Sequence, residues 1–140
     1  METINHDFYV SFEVAKLLKE AGFDWETEFG QDIRDRDIRL EHNINFNSEK
    51  YLVSLPTLDV ALRWLREVKN IAIYVCPSYE SIENEDDKWI MKWEVAAIPY
   101  DIESDDIDLE DTEDVFFDTY EEAQEAGIKE ILELILEKGE

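Results

Sequence analysis

Nucleophilic catalysis takes a thiol or a hydroxyl as attacking group; the one thiol here is Cys76, and the imidazole bases are His6 and His42. Such chemistry needs the thiol beside a base, and the base held in turn by a third group. Cys76 precedes Pro77 at a strand end, among acidic residues rather than the cationic ones that activate a nucleophilic thiol. Its expected role is a small packed strand residue. The histidines lie in stretches without a motif. No GxSxG, HExxH, Walker loop or GxGxxG occurs, and the chain has four glycines in all. The 37 Asp and Glu residues are so many that any two can be paired on paper as acid and base, which makes the pairing uninformative. The expectation is a protein that is not an enzyme and needs no cofactor.

Asp101–Asp114 holds nine carboxylates and no base, which raises the question of a cation loop. An EF-hand loop needs oxygen ligands at set positions, a glycine at the sixth and a bidentate acid at the twelfth. A loop starting at Asp101 puts Asp106 at the glycine position and Thr112 at the end; one starting at Asp106 puts Asp111 and Phe117 there. Neither fits, so no metal residues are assigned. A solvated loop held open by its own repulsion is the expected state of residues 101–114.

Charge is the informative quantity. The formal net is −24 over 140 residues; residues 1–70 carry 14 acids against 9 bases, and residues 71–140 carry 23 against 4. Solubility asks a magnitude of only about 2–8 of a small domain. A disordered acidic tail would lack the four Trp, six Tyr and seven Phe present here. The negative groups therefore ride on a folded body. Such a surface repels phosphate backbones and anionic lipid, which disfavours direct nucleic-acid or membrane binding and favours a basic protein partner. Carboxylates spaced along a folded face can occupy a groove built for phosphates. The residues expected to meet such a partner are Asp105, Asp106, Asp108, Glu110, Asp111 and Asp114, with Glu121, Glu122 and Glu125 of the last helix. Arg34, Arg36, Arg39, Arg63 and Arg66 are expected to pair with the acidic half or with another copy. The oligomeric state is left open.

The elements that carry these groups follow from periodicity. Ser11 caps a helix with Val14, Leu17, Leu18 and Ala21 on one face, closed by Gly22 in the left-handed region and Phe23. Trp25–Ser54 reads as two or three strands of a meander, with Gly30 as a turn and Asp32–Arg39 as an exposed connection. Thr57 caps a second helix whose stripe is Leu58, Ala61, Leu62, Leu65 and Val68, widened by Trp64. Asp59 is placed to pair with Arg63, and Asn70 to end the helix. Ile71–Pro77 and Lys88–Pro99 form a hairpin around a polar loop, Ser78–Asp87. Trp89, Met91, Trp93, Val95 and Ala97 are on its dry face. Val115–Phe117 reads as a short strand. Asp118 and Glu121 form a capping box for a last helix with Tyr120, Ala123, Gly127, Ile128, Ile131, Leu134 and Ile135 inward. Gly127 and Ala123 allow close approach to a neighbour.

The fold class is thus α+β: a single domain over residues 1–140, a mostly antiparallel sheet with three helices packed on one face. With no apolar run of ~18–20 residues and no basic leader before Val10, a cytoplasmic location is expected. One cysteine excludes an internal disulfide.

Tyr9–Phe23, Pro56–Ile73 and Phe117–Leu132 resemble, in order and spacing, small uncharacterised proteins encoded by phages and mobile elements of Bacteroides and related bacteria. The resemblance implies a small accessory protein in an intracellular setting. It assigns no catalytic or binding residue. The resulting expectation is a non-enzymatic acidic protein-binding module, a DNA mimic or an inhibitor of a basic nucleic-acid-handling factor. The alternative is a small-ligand or divalent-cation binder.

Overall fold

A computed structural model describes residues 8–81, 89–99 and 116–137. In chain order these form α1 (Phe12–Glu20), β1 (Thr27–Asp32), β2 (Ile38–Ile44), a 3-10 turn (Phe46–Ser48), β3 (Leu52–Ser54), α2 (Leu58–Val68), β4 (Ile71–Ser81), β5 (Trp89–Pro99) and α3 (Tyr120–Glu137). The fold is α+β with antiparallel pairing throughout. The described strands fall into two sheets, one of three strands in the order β2-β1-β3 and one made by the β4–β5 hairpin. Helix α1 packs on β3, α3 packs on the hairpin, and the two helices meet. One apolar cluster runs through all of them, from Val10, Leu18 and Phe23 to Trp64, Ile128 and Leu132.

The helix ends form as their sequences dictate. Ser11 Oγ accepts from Val14 N at 3.2 Å and Thr57 Oγ1 from Val60 N at 3.2 Å, each answering one orphan donor of the first turn. After α1, Gly22 adopts φ +100°, Gly22 N donates to Lys19 O and Phe23 N to Leu18 O. That is a Schellman ending, with buried Phe23 as its apolar contact. Asn70 (φ 60°) closes α2 in the same region. The cap of α3 lies one residue later than expected: Thr119 Oγ1 accepts from Glu122 N at 3.1 Å, while Asp118 is drawn away to Lys92.

Trp25–Ser54 is not a meander. A meander would make β2 the middle strand, but β1 occupies that place, with Gly30 opposite Arg39 on one side and Ser54 on the other. Gly30 is a strand residue rather than a turn, and it is a glycine because the buried ring of Phe46 packs where a side chain would stand. A Cβ at Gly30 would sit 2.4 Å from Phe46 Cγ and Cδ1. Gly127 lets α3 approach the hairpin closely, since a Cβ there would lie 2.7 Å from Val95 Cγ2 and 3.0 Å from Ile73 Cγ2.

The hairpin is longer than its composition indicates. Ladder pairing continues through Ser78↔Lys92 and Tyr79↔Met91 to Ser81↔Trp89, so Ser78–Ser81 is strand and not loop. Val95 and Ala97 are buried, but Met91 is 43% and Tyr79 66% exposed. The far end of the hairpin runs past the helices that cover its base. The expected dry face therefore exists only near the base, and the Trp89 side chain is outside the described residues. Phe117 exchanges two backbone hydrogen bonds with Trp93 and extends the hairpin by a single bridge, while Val115 is outside the described residues. Val68, counted into the α2 stripe, is 48% exposed. Gln124, Glu130 and Leu132 are buried on α3 outside its expected stripe, because α1, α2 and the hairpin enclose that helix on several sides.

Candidate functional site

The acidic residues expected to meet a partner divide between described and undescribed chain. Asp105, Asp106, Asp108, Glu110, Asp111 and Asp114 are outside the described residues. On α3, Glu122 and Glu133 are exposed, while Glu121 and Glu125 are half-buried. Glu125 Oε1 accepts from Ser11 N at 2.8 Å, so this carboxylate also ties α3 to the start of α1. Lys129 of α3 pairs with Glu13 of α1 at 3.2 Å, and that hydrogen bond and charge raise the lysine pKa. Part of this face is thus helix-to-helix fastening, a role that the spacing of acids alone does not reveal.

Cys76 is exposed on the outer face of the hairpin, and across the ladder it faces Glu94, an acid and no base. The packed position expected for it is not what the fold provides, because that face of the hairpin carries no covering element among the described residues. His6 and the His42 side chain are outside the described residues. Among the described residues no three His, Cys, Asp or Glu side chains gather as metal ligands. No helix described is long and apolar enough to cross a membrane.

The bases are where the structure departs furthest from expectation. Asp32, 1% exposed, accepts from Arg34 N at 2.8 Å, Arg34 Nε at 3.1 Å, Arg34 Nη2 at 2.9 Å and Arg39 Nη2 at 3.2 Å. Arg39 also reaches Asp35 at 3.8 Å, and Arg63 turns forward onto Glu67 and not back onto Asp59. These arginines are engaged by first-half acids and not by the acidic half. Local pairs form because a hairpin or one helical turn supplies them without closing a long loop. Arg36 holds φ 66°, costly for a side chain that is not Gly or Asn. Its guanidinium lies 3.8 Å from the centre of the Phe12 ring, and this cation–π contact fastens the β1–β2 loop to α1. Lys19 Nζ donates to the carbonyls of Glu49 (2.6 Å), Lys50 (3.2 Å) and Leu52 (2.8 Å). Its pKa is lowered by burial, against the pull of Glu49.

The Asp32 network makes a pH prediction. Hydrogen bonds from the Arg34 side chain, then from its backbone N–H, hold the Asp32 carboxyl well below the usual carboxylate range, against the opposing push of burial. A depressed folded pKa contributes stability above the unfolded value, near pH 4, and that contribution is lost as pH falls towards the folded value. Asp32→Asn should therefore lower the urea midpoint at pH 7, and the gap to the parent protein should narrow between about pH 4 and pH 2. Curves that stay parallel over that range would remove Asp32 from the acid response.

At the opposite end of the β1–β2 pair the fold leaves a cavity of about 170 Å³ lined by Tyr9, Glu26, Thr27, Glu28, Asn43, Leu55, Pro56, Thr57 and Val60. It forms where the N-terminal segment bridges to Thr57 and where β2 bulges away from β1 between Thr27 and Phe29. The Tyr9 ring stands edge-on to Phe29 at 5.5 Å. Burial, and then the charge of Glu28, raise the Tyr9 pKa. Sequence spacing could not find this place, since its residues come from four separate stretches. The chain matches no protein-family model, no curated protein and no solved structure in these comparisons. Function has to be argued from the surface itself.

Proposed function

We propose that this protein is a non-enzymatic acidic binding module that engages a basic protein, in the manner of a DNA mimic or an inhibitor of a basic nucleic-acid-handling factor. One observation carries the reading: in a chain of net −24, six of the eleven bases among the described residues are engaged by carboxylates or carbonyls within the fold. Arg34 and Arg39 are turned onto Asp32, Lys19 onto three carbonyls, Arg63 onto Glu67, Lys92 onto Asp118 and Lys129 onto Glu13. Glu28 of β1, Glu41 of β2 and Glu122, Glu133 and Glu137 of α3 are exposed and have no ion-pair partner among the described residues. A surface of that sign attracts polycations and raises their association rate. The resemblance of the three helical segments to phage and mobile-element proteins supports a setting in which inhibiting a nucleic-acid factor is useful.

The test is competition. At about 50 mM salt the protein should displace labelled duplex from a basic DNA-binding domain, with affinity falling ~10²-fold or more by about 200 mM as released counterions return. It should not bind the duplex directly. Absence of displacement at low salt, with the duplex still bound to the domain, would end this reading.

A further inference from the structure

We infer that the cavity beside Tyr9 is the specific part of the binding surface, a socket for an arginine side chain of the basic partner. The inference rests on the reading above and adds to it a place and a ligand group. The cavity has a wall of Leu55, Pro56 and Val60, suited to a methylene stem, and the carboxylate-bearing residues Glu26 and Glu28. Both glutamates are exposed, and neither makes a hydrogen bond or ion pair with a described residue. Among the described residues no base lines the cavity.

An anion is the wrong occupant, although α2 begins here. Three donors at its start are already taken: Leu58 N by Phe8 O, Val60 N by Thr57 Oγ1 and Ala61 N by Thr57 O. The two carboxylates give the lining its negative sign, and the Asn43 amide oxygen and the Tyr9 hydroxyl add further acceptors. A guanidinium has five donors, a planar fork that matches carboxylates and an affinity for aromatic faces. Its stem can lie along the apolar wall while the head stays among acceptors. A compact ammonium ion would leave that wall unused, which favours arginine over a simple cation.

Two variants test the socket from opposite directions. Glu26→Gln with Glu28→Gln removes the charge and keeps the shape; Val60→Phe fills the space and keeps the charge. Glu133→Gln with Glu137→Gln, on exposed positions of α3, lowers the net charge equally away from the cavity. The probe is a capped peptide of glycines with a single arginine, followed by amide chemical shifts. The same peptide with lysine, and methylguanidinium alone, serve as comparison arms. Saturable shifts at Thr27, Asn43 and Val60 are expected, with affinity lost ~10-fold in each cavity variant and less than twofold in the α3 variant. Methylguanidinium should bind more weakly than the arginine peptide, because it lacks the stem. Equal losses in the cavity and α3 variants, or shifts confined to α3, would overturn the socket. If duplex displacement by the full protein survives in both cavity variants, the socket fails while the acidic-module reading stands. If displacement is absent in the parent protein, both fail together.

Discussion

Gly30→Ala should destabilise the protein by about 1–3 kcal/mol, the range that overpacking a core usually costs. The added methyl would meet three atoms of the Phe46 ring at 2.9 Å or less. That ring is 0% exposed and sits under the middle strand of the three-stranded sheet, so it has nowhere to swing. Taken alone, a glycine in a strand interior costs conformational entropy, and alanine would recover ~0.5–1 kcal/mol of it. The clash outweighs this gain. A double variant supplies the control: in a Phe46→Leu background the added methyl has room, so the two changes should be less than additive in urea unfolding. Strict additivity would mean that the ring and the glycine are not in contact as described.

Trp64→Ala should cost more, about 3–5 kcal/mol, against the ~5–15 kcal/mol by which domains of this size are stable. Trp64 is 1% exposed on α2 and meets Phe23 edge-on at 5.4 Å, so the Schellman end of α1 and the inner face of α2 share this one side chain. Trp64→Phe should be much milder, about 1–2 kcal/mol. The buried indole Nε1 has no hydrogen-bond partner among the described residues, so replacing it removes volume but no bond. Equilibrium unfolding at constant m-value separates the two variants. A Phe variant as unstable as the Ala variant would show that the indole nitrogen is bonded, for instance to a buried water.

The three helices were legible in the sequence because each announces itself locally. Ser11 and Thr57 are capping residues at the right distance from an apolar stripe, and Gly22 and Asn70 permit the left-handed residue that ends a helix. The same local logic explains the failures. Asp118 has the right type for a cap, but Lys92, 26 residues away, competes for it and Thr119 takes the cap instead. Gly30 reads as a turn by residue preference, and only the ring of Phe46 explains why a strand needs a glycine there. Ser78 and Tyr79 look like loop because polar and exposed residues carry no burial signal, although the ladder continues through them.

Of the candidate site, the excess of negative charge was fully visible and its partition was not. Counting acids and bases cannot tell that Asp32 collects two arginines, that Lys19 is fixed by three carbonyls or that Glu125 fastens two helices. These are contacts across loops, decided by where the chain returns. The cavity was invisible for the same reason, its walls coming from the N-terminal segment, two strands and the first turn of α2.

The sequence by itself determined the helices, the α+β class and the sign of the surface, because helical periodicity, end-capping and net charge are set by residues within a few positions of one another or by simple count. Tertiary structure alone decided the central place of β1, the division of the strands into two sheets, the engagement of the bases and the hollow beside Tyr9. Those depend on which distant groups come within a few ångströms, where the short range of packing and hydrogen bonding makes position, and not composition, the controlling variable.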